Sequence, residues 1–179
     1  MPTYKVTKVK TFKGREGEGF NADLLKDGKK VAEVINDASG GEVDFHWLDF
    51  KSPSAFVNNW VGYQGQPTDI RCTPEEASFY EFLRGKAWDI GAGIGRASEM
   101  VQHDPQSYVG VLVDKFLNDK RFRRLCKTQT LFRLTGDEEG TWHVIKIKFT
   151  PVVRARMTTR YPNLETVMNE TFATEDANS

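Results

Sequence analysis

Between Asp104 and Phe149 the chain reads as one helix followed by one β-hairpin, and no other stretch restricts the fold as tightly. Apolar residues recur at Tyr108, Val109, Leu112, Val113, Phe116 and Leu117. That is the i, i+3, i+4 spacing of one buried helix face. Asp104-Pro105 opens the helix, because an Asp side chain accepts from free backbone N–H groups and Pro fits the first helical position. The stripe leads into the basic run Lys120 to Lys127, so Pro105 through Leu125 forms one amphipathic rod with its cations on the polar side. A strand from Thr128 to Thr135, a turn from Gly136 to Gly140 and a second strand from Thr141 to Phe149 complete the unit.

The N-terminal part carries a different period. Tyr4, Val6, Thr7, Val9, Thr11 and Phe12 make residues 4–12 a strand rich in β-branched and aromatic residues. A glycine loop at Gly14, Gly17 and Gly19 leads to a second strand, 20–26. Asp27-Gly28 is a two-residue hairpin signal, and Val31 to Ile35 is the third strand. Asn36 to Gly41 is turn chemistry throughout. Val43, Phe45 and Trp47 then alternate with Asp44, His46 and Leu48 as a half-buried fourth strand.

Further on, Ala55 to Tyr63 and Asp69 to Cys72 read as strands around a turn at Gln64 to Pro67. Thr73-Pro74-Glu75-Glu76 is a capping box opening a helix that stops near Gly85. Ala97 to Gln102 reads as a short helix. Thr150-Pro151 opens a helix over 151–160, Tyr161-Pro162 breaks it, and Asn163 caps a last helix from Leu164 to Phe172. The tail from Ala173 is expected to fray. The expected class is α+β: an N-terminal antiparallel β-meander packed with helices, then helix, β-hairpin and helices. Residues 1–179 are expected to form a single domain, mainly meander over 1–72 and mixed over 73–179, with the hairpin at 128–149.

Composition bounds the partners. The 179 residues carry 25 basic and 25 acidic side chains, a net charge of zero, which argues against a generic nucleic-acid binder. The charges are segregated, however. Seven basic residues stand against Asp119 between Lys115 and Arg133, a net +6; nine acids stand against three lysines between Glu16 and Asp49, a net −6. These stretches are either solvated, mutually compensating faces or a two-signed surface for a charged partner. Lys120, Arg121, Arg123, Arg124, Lys127 and Arg133 form the candidate basic binding face. Glu16, Glu18, Glu42 and Asp44 form the acidic one. Cys72 and Cys126 are expected as reduced thiols. No apolar run approaches the roughly 18 residues of a membrane span, and the N-terminus lacks a secretory pattern, so the expected setting is cytoplasmic.

Four stretches could carry chemistry. Asp89 to Gly95 resembles the glycine-rich first motif of S-adenosylmethionine-dependent methyltransferases, with Gly91, Gly93 and Gly95 where a strand would turn into a helix. Asp114 would then end the second strand. The alternating β/α context is missing, and Val109 to Val113 is claimed by the helical stripe. The loop Gly14 to Gly19 has phosphate-cradle glycines but holds Glu16 and Glu18. Glu42, Asp44, His46 and Asp49 could do acid–base or metal work, although alternation puts the first three on the solvent side. The basic run interleaves cations with Phe122 and Phe132, a pattern that can hold phosphates and stack bases. In a helix, Phe122 and Leu125 instead point inward. Three separated histidines assemble no zinc spacing. No catalytic residue, metal or cofactor is expected, and an enzyme is not the leading reading.

Thr11 to Leu24, Asp27 to Ala32, Asp37 to Gly41 and Leu125 to Leu134 resemble segments of small uncharacterised proteins carried by bacteriophages and integrated mobile elements. The resemblance covers about half the chain and brings no functional residues with it. It implies a setting, an accessory gene acting inside a bacterial host. By analogy with other small phage proteins the expectation is a non-enzymatic protein that binds a host protein or ribonucleoprotein complex. Inhibition of a host defence complex, in the manner of anti-CRISPR proteins, is part of that expectation. The alternative is a nucleic-acid-binding protein of phage replication or recombination. The third is a methyltransferase-like enzyme.

Overall fold

The computed structural model describes residues 1–52, 54–61, 66–89, 100–138 and 140–177. The fold is α+β. The chain divides into two compact units, Met1–Phe116 and Leu117–Ser179.

The first unit is built on a four-stranded antiparallel meander: β1 (Tyr4–Lys13), β2 (Glu18–Lys26), β3 (Lys29–Asn36) and β4 (Asp44–Trp47), in that spatial order. Asp27 and Gly28 both take positive φ, +49° and +82°. This is the primed turn whose twist suits a two-residue hairpin. A bulge between Thr7 and Lys10, with Lys8 at φ +52°, resets the alternation of β1. Tyr4, Val6 and then Val9 therefore face inward, and Lys8 faces solvent.

Helix α1 (Pro74–Leu83) covers the meander. Its start is fixed locally: the Thr73 hydroxyl accepts from the Glu76 N–H at 3.2 Å and Pro74 sits in the first turn. Phe79, fully buried, meets Tyr4 at 4.7 Å, Trp47 at 6.1 Å and Phe45 at 6.3 Å between ring centroids. The hairpin of β5 (Ala55–Val61) and β6 (Pro67–Cys72) packs Trp60 against Tyr80 of α1 at 4.7 Å. Another bulge, with Asn59 at φ +51°, lets both Val57 and Trp60 face inward.

Short strands β7 (Ala87–Asp89) and β8 (Met100–Gln102) pair antiparallel. Residues 100–102 are therefore strand where a short helix is predicted, because ladder partners at 87–89 outweigh local preference. Helix α2 (Pro105–Cys126) follows as one uninterrupted element of 22 residues. The Asp104 carboxylate accepts from the Ser107 N–H at 2.7 Å. Val109, Leu112 and Val113 are buried, as the stripe predicts, while Tyr108 packs on Phe82 at 5.5 Å.

The second unit holds a three-stranded sheet in the order β10 (His143–Ile145), β9 (Thr130–Leu134) and β11 (Leu164–Val167), with α3 (Pro151–Arg160) and α4 (Met168–Ala177). Phe132, Met157 and Val167 form its core. Three expectations change here. The second hairpin strand ends at Ile145, because the Ile147 N–H turns back to the Ile145 carbonyl at 2.8 Å. Residues 164–167 are strand instead of helix, since Val167 pairs with Phe132 and buries against it. The last helix consequently starts at Met168 and continues to Ala177, through residues expected to fray.

Candidate functional site

The six basic residues singled out in the sequence divide into two groups. Lys120, Arg121, Arg124 and Lys127 are exposed and carry no ion pair among the described residues. The first three fall within an arc of about 100° on the helix surface, and Lys127 follows the last turn. Arg123 and Arg133 are engaged in contacts within the unit. Arg123 donates to Asp176 at 2.7 Å and to Glu175 at 2.6 Å, with its guanidinium 4.3 Å from the Phe172 ring centroid. Arg133 lies 3.8 Å from Glu165 and donates to the Asp137 carbonyl at 3.4 Å.

Pairing shapes the charge of this unit. Glu165, Glu170, Glu175, Asp176 and Asp137 each face a basic partner within it. Asp119 and Glu138 are the acids left over among the described residues there. Lys146 and Lys148 flank Ile147, whose carbonyl accepts from the Thr130 hydroxyl at 2.8 Å. That bond sets two more exposed lysines beside the start of β9, three residues past Lys127.

The aromatics interleaved with these cations are used for packing. Phe132 is 3% exposed, between His143 at 5.2 Å and Tyr161 at 4.9 Å, and Phe122 lies against Trp142 at 6.0 Å. Phe132 therefore presents no free face for a base, while Phe122 is half-buried.

The four acidic residues singled out, Glu16, Glu18, Glu42 and Asp44, are all exposed. The meander brings them to one end, where the β1–β2 and β3–β4 connections meet. The Glu16 N–H donates to the Ala38 carbonyl at 2.8 Å, and its carboxylate fills the space a side chain on Gly40 would need. The Gly14 N–H donates to Gly17 at 2.9 Å. The glycine loop therefore spends these amides on itself and its neighbour, and they do not form an open cradle. Asp49 leaves the acidic edge: its Oδ2 accepts from the Glu75 N–H at 3.0 Å at the start of α1. Its Oδ1 is buried with no partner among the described residues.

Two adjoining clefts in the first unit have no counterpart among the sequence expectations. They share Phe45, Trp47 and Glu76 as a common wall. The larger, about 590 Å³, continues to Glu33, His46, Leu48 and Phe50. The smaller, about 340 Å³, continues to Trp60, Ile70, Tyr80 and Asp104. Burial pushes the Glu76 carboxyl above its ordinary range, and the nearby charge of Asp49 adds to this against a hydrogen bond from the Thr73 backbone. Burial, with the Glu76 charge second, pushes the Tyr80 hydroxyl up to about 12. The alternation of Phe45 and Trp47 is visible in the sequence, but nothing in the spacing places Glu76 against them.

Residues 109–113 are helical, so Asp114 does not end a strand, and Gly91, Gly93 and Gly95 lie outside the described residues. Among the described residues no three His, Cys, Asp or Glu side chains are grouped to hold a metal. Both cysteines are free thiols, Cys72 buried and Cys126 partly so. No described helix is long and apolar enough to cross a membrane. No protein-family model, curated protein or solved structure matches the chain.

Proposed function

We propose that this chain is a non-enzymatic binding protein that docks an anionic surface of a macromolecular partner through Lys120, Arg121, Arg124 and Lys127. One observation carries the reading. Four acids of their own unit, Glu165, Glu170, Glu175 and Asp176, are already paired with other arginines, so that only Asp119 and Glu138 among the described residues there stand unpaired against these four cations. Exposed charges of one sign raise association rates and select partners of the opposite sign. The resemblance to phage and mobile-element proteins supplies the class of partner, a host protein or ribonucleoprotein complex. Inhibition of a defence complex is the biological outcome it implies. Direct binding of nucleic acid is the competing outcome, and the burial of Phe132 weighs against base stacking there.

The test is charge reversal. Immobilised wild-type protein and the variant K120E/R121E/R124E/K127E are exposed to bacterial lysate, and both are run in gel shifts with duplex DNA and single-stranded RNA. Retention by the wild type of one nucleic-acid-handling complex, lost in the variant, with no shift of bare nucleic acid, is the expected result. Equal retention by both proteins would end the proposal. A salt-sensitive shift of bare nucleic acid, lost in the variant, would transfer the surface to the competing reading.

A further inference from the structure

We infer that the paired clefts along β4 and α1 take a lysine or arginine side chain carried on an apolar-flanked segment of a protein partner. This stands independently of the α2 surface, because every described lining residue lies within Met1–Phe116. The first ground is composition. Phe45, Trp47, Trp60 and Tyr80 supply aromatic walls and Glu76 supplies a carboxylate, while among the described residues no Lys or Arg lines either cleft. An aromatic wall beside a carboxylate is the chemistry that holds an ammonium or guanidinium group.

The second ground is the state of the carboxylates. Glu33 is paired with Lys30 at 2.7 Å, and Asp104 accepts from the Ser107 N–H. Glu76, in the wall common to both clefts, has no cationic partner among the described residues. Burial already works against its charged form there. A cation entering the cleft relieves that penalty, whereas an anion or a neutral group does not. The third ground is the rim. Leu48 and Phe50 stand 59% and 66% exposed, large apolar side chains that a flanked peptide would cover and a free amine would not. Lys51 stands over the Phe50 ring at 5.7 Å, so this rim already holds an ammonium on an aromatic face.

The full-length protein is titrated with the peptide acetyl-Ala-Leu-Arg-Leu-Ala-amide, followed by calorimetry and by the fluorescence of the tryptophans lining the clefts. Saturable binding is expected, with a loss of roughly tenfold or more when the peptide arginine becomes glutamine. Free arginine amide is expected to bind at least roughly tenfold more weakly than the peptide, because it leaves Leu48 and Phe50 uncovered. Glu76→Gln, which keeps an acceptor for the Thr73 N–H, is expected to weaken the arginine peptide and leave the glutamine peptide unchanged. Phe50→Ala, at an exposed position, repeats the test where the fold is not at issue, and a weaker peptide is expected. Equal binding of the two peptides, indifference to both substitutions, or equal binding of arginine amide and peptide would each overturn the inference.

Discussion

The side-chain amide of Asn169 donates to the carbonyl of Cys126 at 3.1 Å, so the end of α2 is capped by a residue 43 positions further on. The same amide reaches the Gln129 carbonyl at 2.9 Å, and its oxygen accepts from the Leu131 N–H at 3.0 Å. One partly buried side chain thus satisfies three backbone groups at the junction of α2, β9 and α4. Asn169→Ala is expected to cost about 2–3 kcal/mol, because buried backbone groups lose their partners without replacement. Asn169→Asp keeps the acceptor and loses both donors, and should be as damaging or more so. Urea denaturation of the two variants checks the value, and a loss under about 0.5 kcal/mol for Asn169→Ala would show that water substitutes freely at this junction.

Arg123 ties α4 to α2 through Glu175, Asp176 and the Phe172 ring. All three contacts are partly solvated, so Arg123→Ala is expected to cost only about 0.5–1 kcal/mol. Its effect should be local. Amide exchange over residues 172–177 should accelerate while that of β9 stays unchanged, as hydrogen-exchange mass spectrometry would show.

Phe79 is fully buried and faces five aromatic rings, those of Tyr4, Phe45, Trp47, Phe82 and Tyr108. Phe79→Ala should cost about 3–5 kcal/mol through lost burial and the cavity left behind. Phe79→Leu should cost clearly less. Trp47, 6.1 Å away, provides the fluorescence signal for the unfolding curves.

Asp23 and Glu76 should give stability profiles of opposite slope. Asp23 is held below the ordinary carboxylate range by hydrogen bonds from Lys30 and Lys8, at 2.7 and 2.9 Å. A depressed carboxylate stabilises the fold above its unfolded pKa, and that contribution is lost as the pH falls through its folded value. Asp23→Asn should therefore lower the melting temperature at pH 7 and converge with wild type as the pH falls below the ordinary 3.8. Glu76 is raised by burial, so the native state holds its proton more tightly than the unfolded chain. Its ionisation therefore destabilises the fold as the pH rises above the ordinary 4.5. Glu76→Gln should gain on wild type over that window. Parallel melting curves for wild type and Glu76→Gln from acid to neutral pH would contradict the assignment.

How much of this was legible depends on how far each group reaches for its partner. Thr73-Pro74 and Thr150-Pro151 mark the starts of α1 and α3 to the residue, because each threonine accepts from an N–H three positions on. Asp27-Gly28 marks its turn because Asp and Gly are residue types suited to the positive φ both adopt. The buried stripe of α2 is likewise written in a 3.6-residue period. The division of the basic run was not legible. Arg123 and Arg124 are neighbours of the same type, yet one pairs with residues more than fifty positions away and the other has no ion pair among the described residues. The clefts beside Glu76 were hidden for the same reason, since β4 and α1 meet only once the meander has formed.

Sequence alone therefore determined the caps at Thr73, Asp104 and Thr150, the Asp27-Gly28 turn, the helical stripe of α2 and the α+β class, all of which rest on bonds and periods spanning a few residues. The cap expected at Asn163 opens no helix, and the turn expected at Gln64 to Pro67 lies largely outside the described residues. Tertiary structure decided that residues 164–167 extend as a strand, that the chain remains helical to Ala177, and which charges face outward. Each of those outcomes hangs on a hydrogen bond or ion pair closed across tens of residues, such as Leu131 to Asn169 and Arg123 to Asp176. Local preference carries no information about such pairs, because the entropy of closing the intervening chain is recovered only when the whole core assembles.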